Sequence, residues 1–210
     1  MTPPHRPEPP PRQLASVPGP VEIWWRRTNT LSPGRGRTLL RDAIATRYHL
    51  PTSHVTIDQD DRGNPTPLPV DGLPPLQLTA AHCAFIALAG FTADTGLDIG
   101  VDIEMLSGPP DPALLRHALS SRERSFLTGQ PAPIQRAAFL RLWTAKEAVA
   151  KAIGWPLLRA LVDVEITLHP QLGLHRLAEN TTPRDWRLSA IQLPGLPHTI
   201  TLALHGRRVL

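Results

Sequence analysis

Apolar and polar side chains alternate most clearly over residues 97–104, which read LDIGVDIE. Every second side chain is aliphatic, so the segment predicts a β-strand with one buried face. The opposite face carries Asp98, Gly100, Asp102 and Glu104. Shorter apolar runs predict further strands over residues 21–25, 55–57, 76–78, 84–90, 162–168, 173–177, 186–192 and 199–204.

Helical spacing of apolar residues is found in two longer segments. Residues 38–48 (TLLRDAIATRY) predict an amphipathic helix that ends before Pro51, and residues 134–153 predict a long helix that ends at Gly154. Residues 112–119 and 121–127 predict two shorter helices, the second capped by Ser120 or Ser121. A Pro- and Gly-containing hinge over residues 107–112 precedes them.

This order of elements predicts an α+β fold in which each half of the chain pairs a helix with an antiparallel sheet. Residues 1–20 hold eight prolines and predict a disordered tail. Residues 21–108 are predicted to form an N-terminal subdomain and residues 109–210 a C-terminal subdomain, without a visible sequence repeat between them.

Composition excludes several classes of protein. The single cysteine, Cys83, rules out an internal disulfide framework, and the scattered histidines show no zinc-ligand spacing. No apolar run approaches the ~18 residues of a membrane span, and no apolar signal core is visible, so we expect a cytoplasmic protein without a membrane partner. The net charge of +4 favours an anionic partner, although no nucleic-acid-binding module is recognisable.

Lysine is scarce: only Lys146 and Lys151 are lysines among 22 basic residues, and both lie in the predicted long helix. Because arginine occupies the other basic positions, a role for these two as compact charges that reach a phosphate is favoured. Glu147 and Lys151 are four residues apart and share a helix face. Alone, this spacing also fits an ordinary ion pair worth about 0.3–0.5 kcal/mol.

Asp102 and Glu104 lie on one strand face, with Cα atoms ~7 Å apart or less. Neighbouring carboxylates repel each other unless a cation joins them, and Mg²⁺ prefers oxygen ligands; a solvated strand face is the alternative interpretation. His82, at the start of a strand predicted to be buried, is either a core histidine or a donor to a phosphate. Cys83 is interpreted as structural.

These motifs resemble the paired signature of 4′-phosphopantetheinyl transferases, in particular the Sfp-type branch. GVDIE (residues 100–104) is followed about forty residues later by WTAKEAVAK (residues 143–151). TLLRDAIATRYHLP resembles the family's coenzyme A-binding helix, RGNP its G-K-P turn, LTAAHC its N-x-S-H-S segment and LSSRERSFL its F-S-x-x-E segment. Ala81 and Asn64 depart from this pattern, and the segment before the helix is short, where Arg35 and Arg37 are candidate substitutes.

The resemblance implies a pseudo-twofold pair of α/β subdomains, each with a small antiparallel sheet on a long helix, and a role for each matched residue. Asp102, Glu104 and Glu147 would hold Mg²⁺, and Glu147 would also be the catalytic base. Lys151, with a lesser contribution from Lys146, would contact the coenzyme A phosphates. The 3′-phosphate would be held by Arg41 and His82, and the adenine pocket would be lined by Gly63 and Pro65. Glu123 would have a structural role or would support the site.

The implied reaction moves the phosphopantetheine arm of coenzyme A to a serine of an acyl or peptidyl carrier protein, with a monomeric enzyme and no nucleic acid partner. The carrier should be acidic and meet arginines of the second half: Arg116, Arg122, Arg124 and Arg136. Two alternatives stay open. One is a degenerate module that binds carrier protein or coenzyme A without turnover, and the other is a Mg²⁺-dependent phosphohydrolase or nuclease that uses the same carboxylates.

Overall fold

The computed structural model describes residues 8–15, 17, 19–29, 31–32, 34–61, 63–105, 112–178 and 182–206. Its strands are β1 (Arg12–Gln13), β2 (Glu22–Arg27), β3 (Ile57–Gln59), β4 (Pro65–Pro67), β5 (Gln77–Cys83), β6 (Ile86–Thr92), β7 (Leu97–Met105), β8 (Val164–Thr167), β9 (Gly173–Leu177), β10 (Trp186–Ile191) and β11 (His198–Gly206). Its helices are α1 (Arg35–Tyr48), α2 (Pro112–Ala118), α3 (Ser121–Thr128), α4 (Ala132–Ile153) and α5 (Leu157–Asp163). The predicted α+β class is confirmed. Arg62 and residues 107–111 of the predicted hinge lie outside the described residues.

Two antiparallel sheets pack face to face between two helices. The first sheet has the strand order β1-β2-β6-β5 and the second β10-β11-β7. An apolar core between them contains Ile23, Leu88, Val101, Ile103 and Leu202. On the outer face of the first sheet lies α1, and on that of the second lies α4. Within the described part of the chain, no helix has both the length and the apolar character needed to cross a lipid bilayer.

The alternating pattern of β7 is confirmed by its two faces. Ile99, Val101 and Ile103 are buried in the core between the sheets, where each contributes about 1.5–3 kcal/mol of burial free energy. A register slip by one residue would turn all three toward α4, so the pattern fixes which side chains face α4. On that side Gly100 is required, because a Cβ atom would overlap the backbone of Ala148. Close packing of β7 on α4 results.

Part of the segment predicted to be a disordered tail is ordered, which corrects that prediction. The backbone of β1 pairs with β2, and the Leu14 amide donates to the carbonyl of Ile23 at 2.8 Å. Leu14 and Val17 pack against the core between the sheets. The prolines of this segment are compatible with an edge strand, because an edge leaves half of the backbone amides without a ladder partner.

The strand that carries Asp102 and Glu104 lies in a different sheet from the one that the sequence suggests. The predicted boundary at residue 108 assigns β7 to the N-terminal half, yet β7 pairs along its length with β11, near the C-terminus. Its remaining contacts with the first sheet include a hydrogen bond from the Val101 amide to Thr79 Oγ1 at 3.0 Å. The two halves therefore share β7.

The predicted strand over residues 162–168 is wrong in its first part. Pro156 precedes α5, and the strand begins only at Val164. Ala160 and Leu161 are buried against α4, whereas Val162 is exposed. Packing of one helical face therefore outweighs the local preference of apolar and β-branched residues for strand.

Candidate active site

Three carboxylates from two elements meet at one end of β7. Asp102 and Glu104 project from β7, and Glu147 projects from α4. One oxygen atom from each carboxylate lies within 4.8 Å of the other two. The alternation of β7 and the close approach of α4 at Gly100 produce this meeting, which the family resemblance implies.

Lys151 lies beside the three carboxylates. Its Nζ donates to Asp102 Oδ1 at 2.7 Å and lies 3.8 Å from Glu147 Oε2. Partial burial lowers the pKa of Lys151, but the charges of Asp102 and Glu147 outweigh burial, so the pKa is raised. The lysine is held as a cation between strand and helix, and its side chain is 30% exposed.

The three carboxylates lie close enough for their negative charges to repel one another. Burial and the charge of Asp102 raise the pKa of Glu147 to about 8, and the same two causes raise that of Glu104. Asp102 Oδ2 is buried and has no hydrogen-bond partner among the described residues. A divalent cation would neutralise the excess charge and give this oxygen a partner, so the residues fit a metal site.

Cys83 contacts the site, although the sequence gives it only a structural role. Its Sγ lies 3.7 Å from Glu104 Oε2 and donates to that carboxylate. Burial and the charge of Glu104 raise the pKa of the thiol to about 11, so the thiol stays protonated at neutral pH. The contact depends on β5 crossing β7, which is a long-range feature without a sequence signal.

His82 lies near the site, but at a different position in its strand from the one that the sequence predicts. It is the second-last residue of β5 and exposed, whereas the sequence places it at the start of a buried strand. Partial burial and the charges of Arg35 and Lys151 lower the pKa of His82. Arg35, at the start of α1, is thus a neighbour of His82.

Arg41 does not line the cavity that Lys151 lines. It lies on α1, pairs with Asp42 at 3.3 Å and is 43% exposed. Together with Arg37 it lines a cavity of about 360 Å³ between α1 and the segment after Pro51. The role of Arg41 therefore stays a prediction.

The predicted adenine turn borders a second cavity, of about 440 Å³, that reaches Lys151. Pro65 and Asn64 line it, together with Asp98 of β7 and the end of α4. Gly63 supplies the positive φ of +83° that the turn between β3 and β4 requires. The structure thus brings Pro65 and Lys151 to one cavity.

Lys146 is the clearest correction among the predicted site residues. Its side chain is fully buried, and Nζ donates to Glu123 Oε2 at 2.8 Å, Ala118 O at 2.9 Å and Leu161 O at 3.0 Å. Burial lowers the pKa of Lys146, with Glu123 opposing that effect. With all three hydrogen-bonding positions used inside the protein, this side chain cannot reach a phosphate in the cavity.

Comparison with known proteins points to one family. The chain is 30% identical to 4′-phosphopantetheinyl transferase psf-1 of Bacillus pumilus over 57% of its own length and 48% of that protein. It is 29% identical to 4′-phosphopantetheinyl transferase HetI of Nostoc sp. over 64% of its length and 56% of that protein. The match to the fatty acid synthase alpha subunit pigJ of Monascus ruber is 32% identical over 52% of this chain and 6% of that subunit. The chain thus spans about half of the two transferases.

A family model covers the part of the chain that carries the site. The model of the 4′-phosphopantetheinyl transferase superfamily matches residues 98–203, a range that includes the three clustered carboxylates and Lys151. Residues from α1 and the β3–β4 turn lie outside this range. All four clustered side chains fall within the matched range, and the chain belongs to the 4′-phosphopantetheinyl transferase superfamily.

Proposed function

We propose that the protein transfers the 4′-phosphopantetheine arm of coenzyme A to a serine hydroxyl of a carrier protein. The serine oxygen forms a bond to the phosphorus that bears the pantetheine arm. The bond from that phosphorus to the bridging oxygen breaks, and 3′,5′-ADP leaves with the electron pair. The observation that carries this proposal is the cluster of Asp102, Glu104 and Glu147 beside Lys151, in a chain of this superfamily.

We infer that the three carboxylates hold Mg²⁺. The donor set consists only of oxygen atoms, which suits this hard cation. The buried oxygen of Asp102 without a partner and the raised pKa of Glu147 both favour a bound cation. When bound, Mg²⁺ would neutralise the pyrophosphate charge that develops during transfer.

Magnesium should stabilise the protein more at high pH than at low pH. The pKa of Glu147 is raised from 4.5 to about 8 on folding, so its contribution to stability is complete below pH 4.5 and is lost as the pH rises through 8. Cation binding displaces that proton, and the displacement becomes easier as the pH rises. We expect Mg²⁺ to raise the thermal unfolding midpoint more at about pH 8.5 than at about pH 6. If the wild-type protein and Glu147→Gln showed the same Mg²⁺-induced shifts of the midpoint at the two pH values, this prediction would be contradicted.

The chain's own groups supply alignment and proton transfer. Lys151 is a cation poised to neutralise the pyrophosphate and the leaving 3′,5′-ADP. Glu147 accepts the serine proton, directly or through one water molecule, because it is the partly exposed carboxylate on the helix side of the cluster. Asp102 fixes Lys151 through the 2.7 Å hydrogen bond.

The cavity beside Lys151 is the proposed nucleotide pocket. Lys151 and the turn that carries Asn64 and Pro65 both line this cavity. Pyrophosphate at the lysine would therefore place the adenosine against that turn. His82 and Arg35 remain the proposed neighbours of the 3′-phosphate, with Arg41 as a more distant cation.

The carrier protein would dock on α2 and α3. Arg116 and Arg122 are exposed there, whereas Arg124 is half-buried and donates to the carbonyls of Leu119 and Arg116. Arg122 is already close to His175 and Glu165. Arg116 is therefore the best candidate to meet an acidic carrier.

We expect Arg116→Glu to raise the KM for an acidic carrier protein roughly tenfold and to leave the KM for coenzyme A unchanged. Reversal of a charge at an interface rim acts mainly on association, and the effect should shrink as salt is added. Steady-state kinetics at low and high salt measure this. Arg187→Glu, on β10, is the matched control. Equal carrier KM values for the two variants would remove α2 from the docking surface.

The test of the function is intact-mass analysis of an apo carrier protein incubated with the enzyme, coenzyme A and Mg²⁺. A gain of one phosphopantetheine arm supports the proposal. Tight binding of coenzyme A or carrier without mass gain, across carriers from several pathways, would favour a degenerate binding module. Release of phosphate or nucleotide without a carrier would favour a phosphohydrolase.

We propose further that the two halves are related by a pseudo-twofold axis and act as a monomer. In each half a helix covers the outer face of an antiparallel sheet: α1 on the first sheet and α4 on the second. All four proposed catalytic side chains come from one chain. Sedimentation or light scattering measures the oligomeric state.

A further inference from the structure

Glu104 differs from the other two clustered carboxylates in how its side chain is held. Lys151 donates to Asp102 at 2.7 Å and lies 3.8 Å from Glu147, so one cation orders both of those side chains. Among the described residues, no cation forms an ion pair with Glu104. A glutamate side chain is flexible and loses conformational entropy when it is fixed. Other contacts must therefore order Glu104 if the site is to be preformed.

Cys83 supplies one contact of this kind. It is the last residue of β5, and its Sγ donates to Glu104 Oε2 at 3.7 Å. The sulfur is also hydrogen-bonded to the backbone of Met105, the residue that follows Glu104. Cys83 itself is held by pairing with Ile86 in the β5–β6 ladder. The thiol is thus tied to β7 at two neighbouring residues.

A second contact comes from α4. The indole N–H of Trp143, which is the polar group of that side chain, hydrogen-bonds to Glu104. Trp143 lies one helical turn before Glu147 and packs against the apolar core, with its ring centroid 6.0 Å from that of Phe139. Burial and the charge of Asp102 raise the pKa of Glu104, and the hydrogen bonds from Cys83 and Trp143 oppose them. Both donors therefore favour the ionised carboxylate.

We propose that Cys83 and Trp143 are positioning residues that hold the Glu104 carboxylate ready for the divalent cation. The proposal rests on the function proposed above, in which Glu104 is one of three ligands of Mg²⁺. A carboxylate has about four acceptor sites, so two donors leave room for a cation. Because both donors are neutral, they orient the carboxylate without repelling the cation, as a second lysine would. Both residues act through Glu104.

Titration of the protein with Mn²⁺ alone, followed by electron paramagnetic resonance of the free ion, tests the role of Cys83. Mn²⁺ takes the same oxygen ligands as Mg²⁺, and neither coenzyme A nor a carrier protein is needed. We expect Cys83→Ala to raise the dissociation constant about tenfold, the usual effect of losing a hydrogen bond to a metal ligand. Cys83→Ser should stay within about threefold of wild type, because a hydroxyl also donates.

Two outcomes of this titration would overturn the role of Cys83. One is an equal dissociation constant in wild type and Cys83→Ala. The other is an equal loss of affinity in Cys83→Ala and Cys83→Ser, which would assign the effect to the sulfur atom rather than to hydrogen-bond donation. Thermal unfolding without metal is measured alongside, because a purely structural role would lower the unfolding midpoint and leave the dissociation constant of the folded protein unchanged.

Trp143→Phe keeps an aromatic ring in the core and removes the N–H, so it should also weaken Mn²⁺ binding about tenfold. The matched control is Trp24→Phe. Its indole donates to Glu22 Oε2 at 3.3 Å, and its ring packs in the separate core under α1. We expect the control to bind Mn²⁺ as wild type does. No loss in Trp143→Phe, or the same loss in both variants, would remove Trp143 from the proposal.

Infrared spectroscopy tests the thiol contact without any metal. Cys83 is the single cysteine of the chain, so the S–H stretching band belongs to this residue alone. Donation to a carboxylate lowers the frequency of this band, and Glu104→Ala should raise it toward that of a thiol without an acceptor. The same frequency in wild type and Glu104→Ala would show that the thiol does not donate to Glu104 and would overturn the role of Cys83.

Failure of this proposal can be distinguished from failure of the proposed function. If wild type modifies a carrier protein but both variants, Cys83→Ala and Trp143→Phe, bind Mn²⁺ as tightly as wild type, the function stands and the positioning role is wrong. If the variants bind Mn²⁺ more weakly but wild type modifies no carrier, the positioning role stands and the transferase function is wrong. If wild type binds no Mn²⁺, both the metal site and the positioning role are wrong.

Discussion

Glu147→Gln should lower the rate constant of phosphopantetheine transfer by about 10³-fold or more, because the change removes both a base and a metal ligand. Glutamine keeps the size of the side chain, so the fold should be retained. In wild type, one carboxylate oxygen of Glu147 lies within 4.8 Å of an oxygen of Asp102 and an oxygen of Glu104. Burial and the charge of Asp102 raise the pKa of Glu147 to about 8, so a further negative charge is disfavoured at this position. Single-turnover rates with saturating coenzyme A and carrier measure the loss.

The control for this experiment is Glu22→Gln, which removes a carboxylate on β2 that pairs with Arg47 outside the cavity. Full activity is expected there. Thermal unfolding of Glu147→Gln without Mg²⁺ should show no loss of stability, because the crowded charge is gone. A transfer rate within tenfold of wild type would exclude Glu147 as base and as essential ligand.

The site was predictable where the chemistry coincides with local periodicity. The period of two in β7 places Asp102 and Glu104 on one face, and the spacing of four in α4 places Glu147 beside Lys151. What the sequence cannot give is which strand lies next to which. The contacts of Cys83 with Glu104 and of Asp98 with His205 join residues 21 and 107 positions apart. Such pairs depend on tertiary packing alone.

The sequence predicts the fold class correctly but does not predict which strands pair. The helix and strand patterns of α1, α4, β7 and β11 follow from their apolar spacing. The pairing of β7 with β11 does not, because both strands also fit the first sheet by pattern. The errors at β1 and α5 have one cause: buried contacts of Leu14 and Leu161 outweigh the local preferences of the residues around them. The roles of Arg41 and His82 and the cytoplasmic location stay predictions.

The scarcity of lysine draws attention to Lys146 and Lys151 but does not separate their roles, and the phosphate role that it favours for Lys146 is wrong. Lys151 is partly exposed between Asp102 and Glu147, whereas Lys146 is enclosed by Glu123 and two backbone carbonyls. Residues five apart on a helix differ by about 140° in direction, so the two ammonium groups point into different regions. Glu123 also accepts from the backbone amides of Ser120 and Ile166, at 2.7 and 2.8 Å. The buried pair thus ties together α3, α4 and β8.

Lys146→Met should lower the free energy of unfolding by about 3–5 kcal/mol, because it leaves a buried carboxylate without its cation. Lys146→Met combined with Glu123→Gln should regain part of this loss, since the uncompensated charge is removed while an amide oxygen can still accept from a backbone amide. In folded Lys146→Met protein, the affinity for coenzyme A should equal that of wild type.

Lys151→Met, the matched change at the other lysine, should cost less stability than Lys146→Met, because the Lys151 side chain is partly exposed. It should lower the affinity for coenzyme A by about tenfold or more, because a charge-assisted contact to phosphate is lost. Urea unfolding and calorimetric titration of both variants measure the two quantities. A weaker affinity for coenzyme A in Lys146→Met at full stability would restore Lys146 to the phosphate site. One helix carries both lysines. This pair of variants therefore separates the structural role of Lys146 from the proposed phosphate-binding role of Lys151.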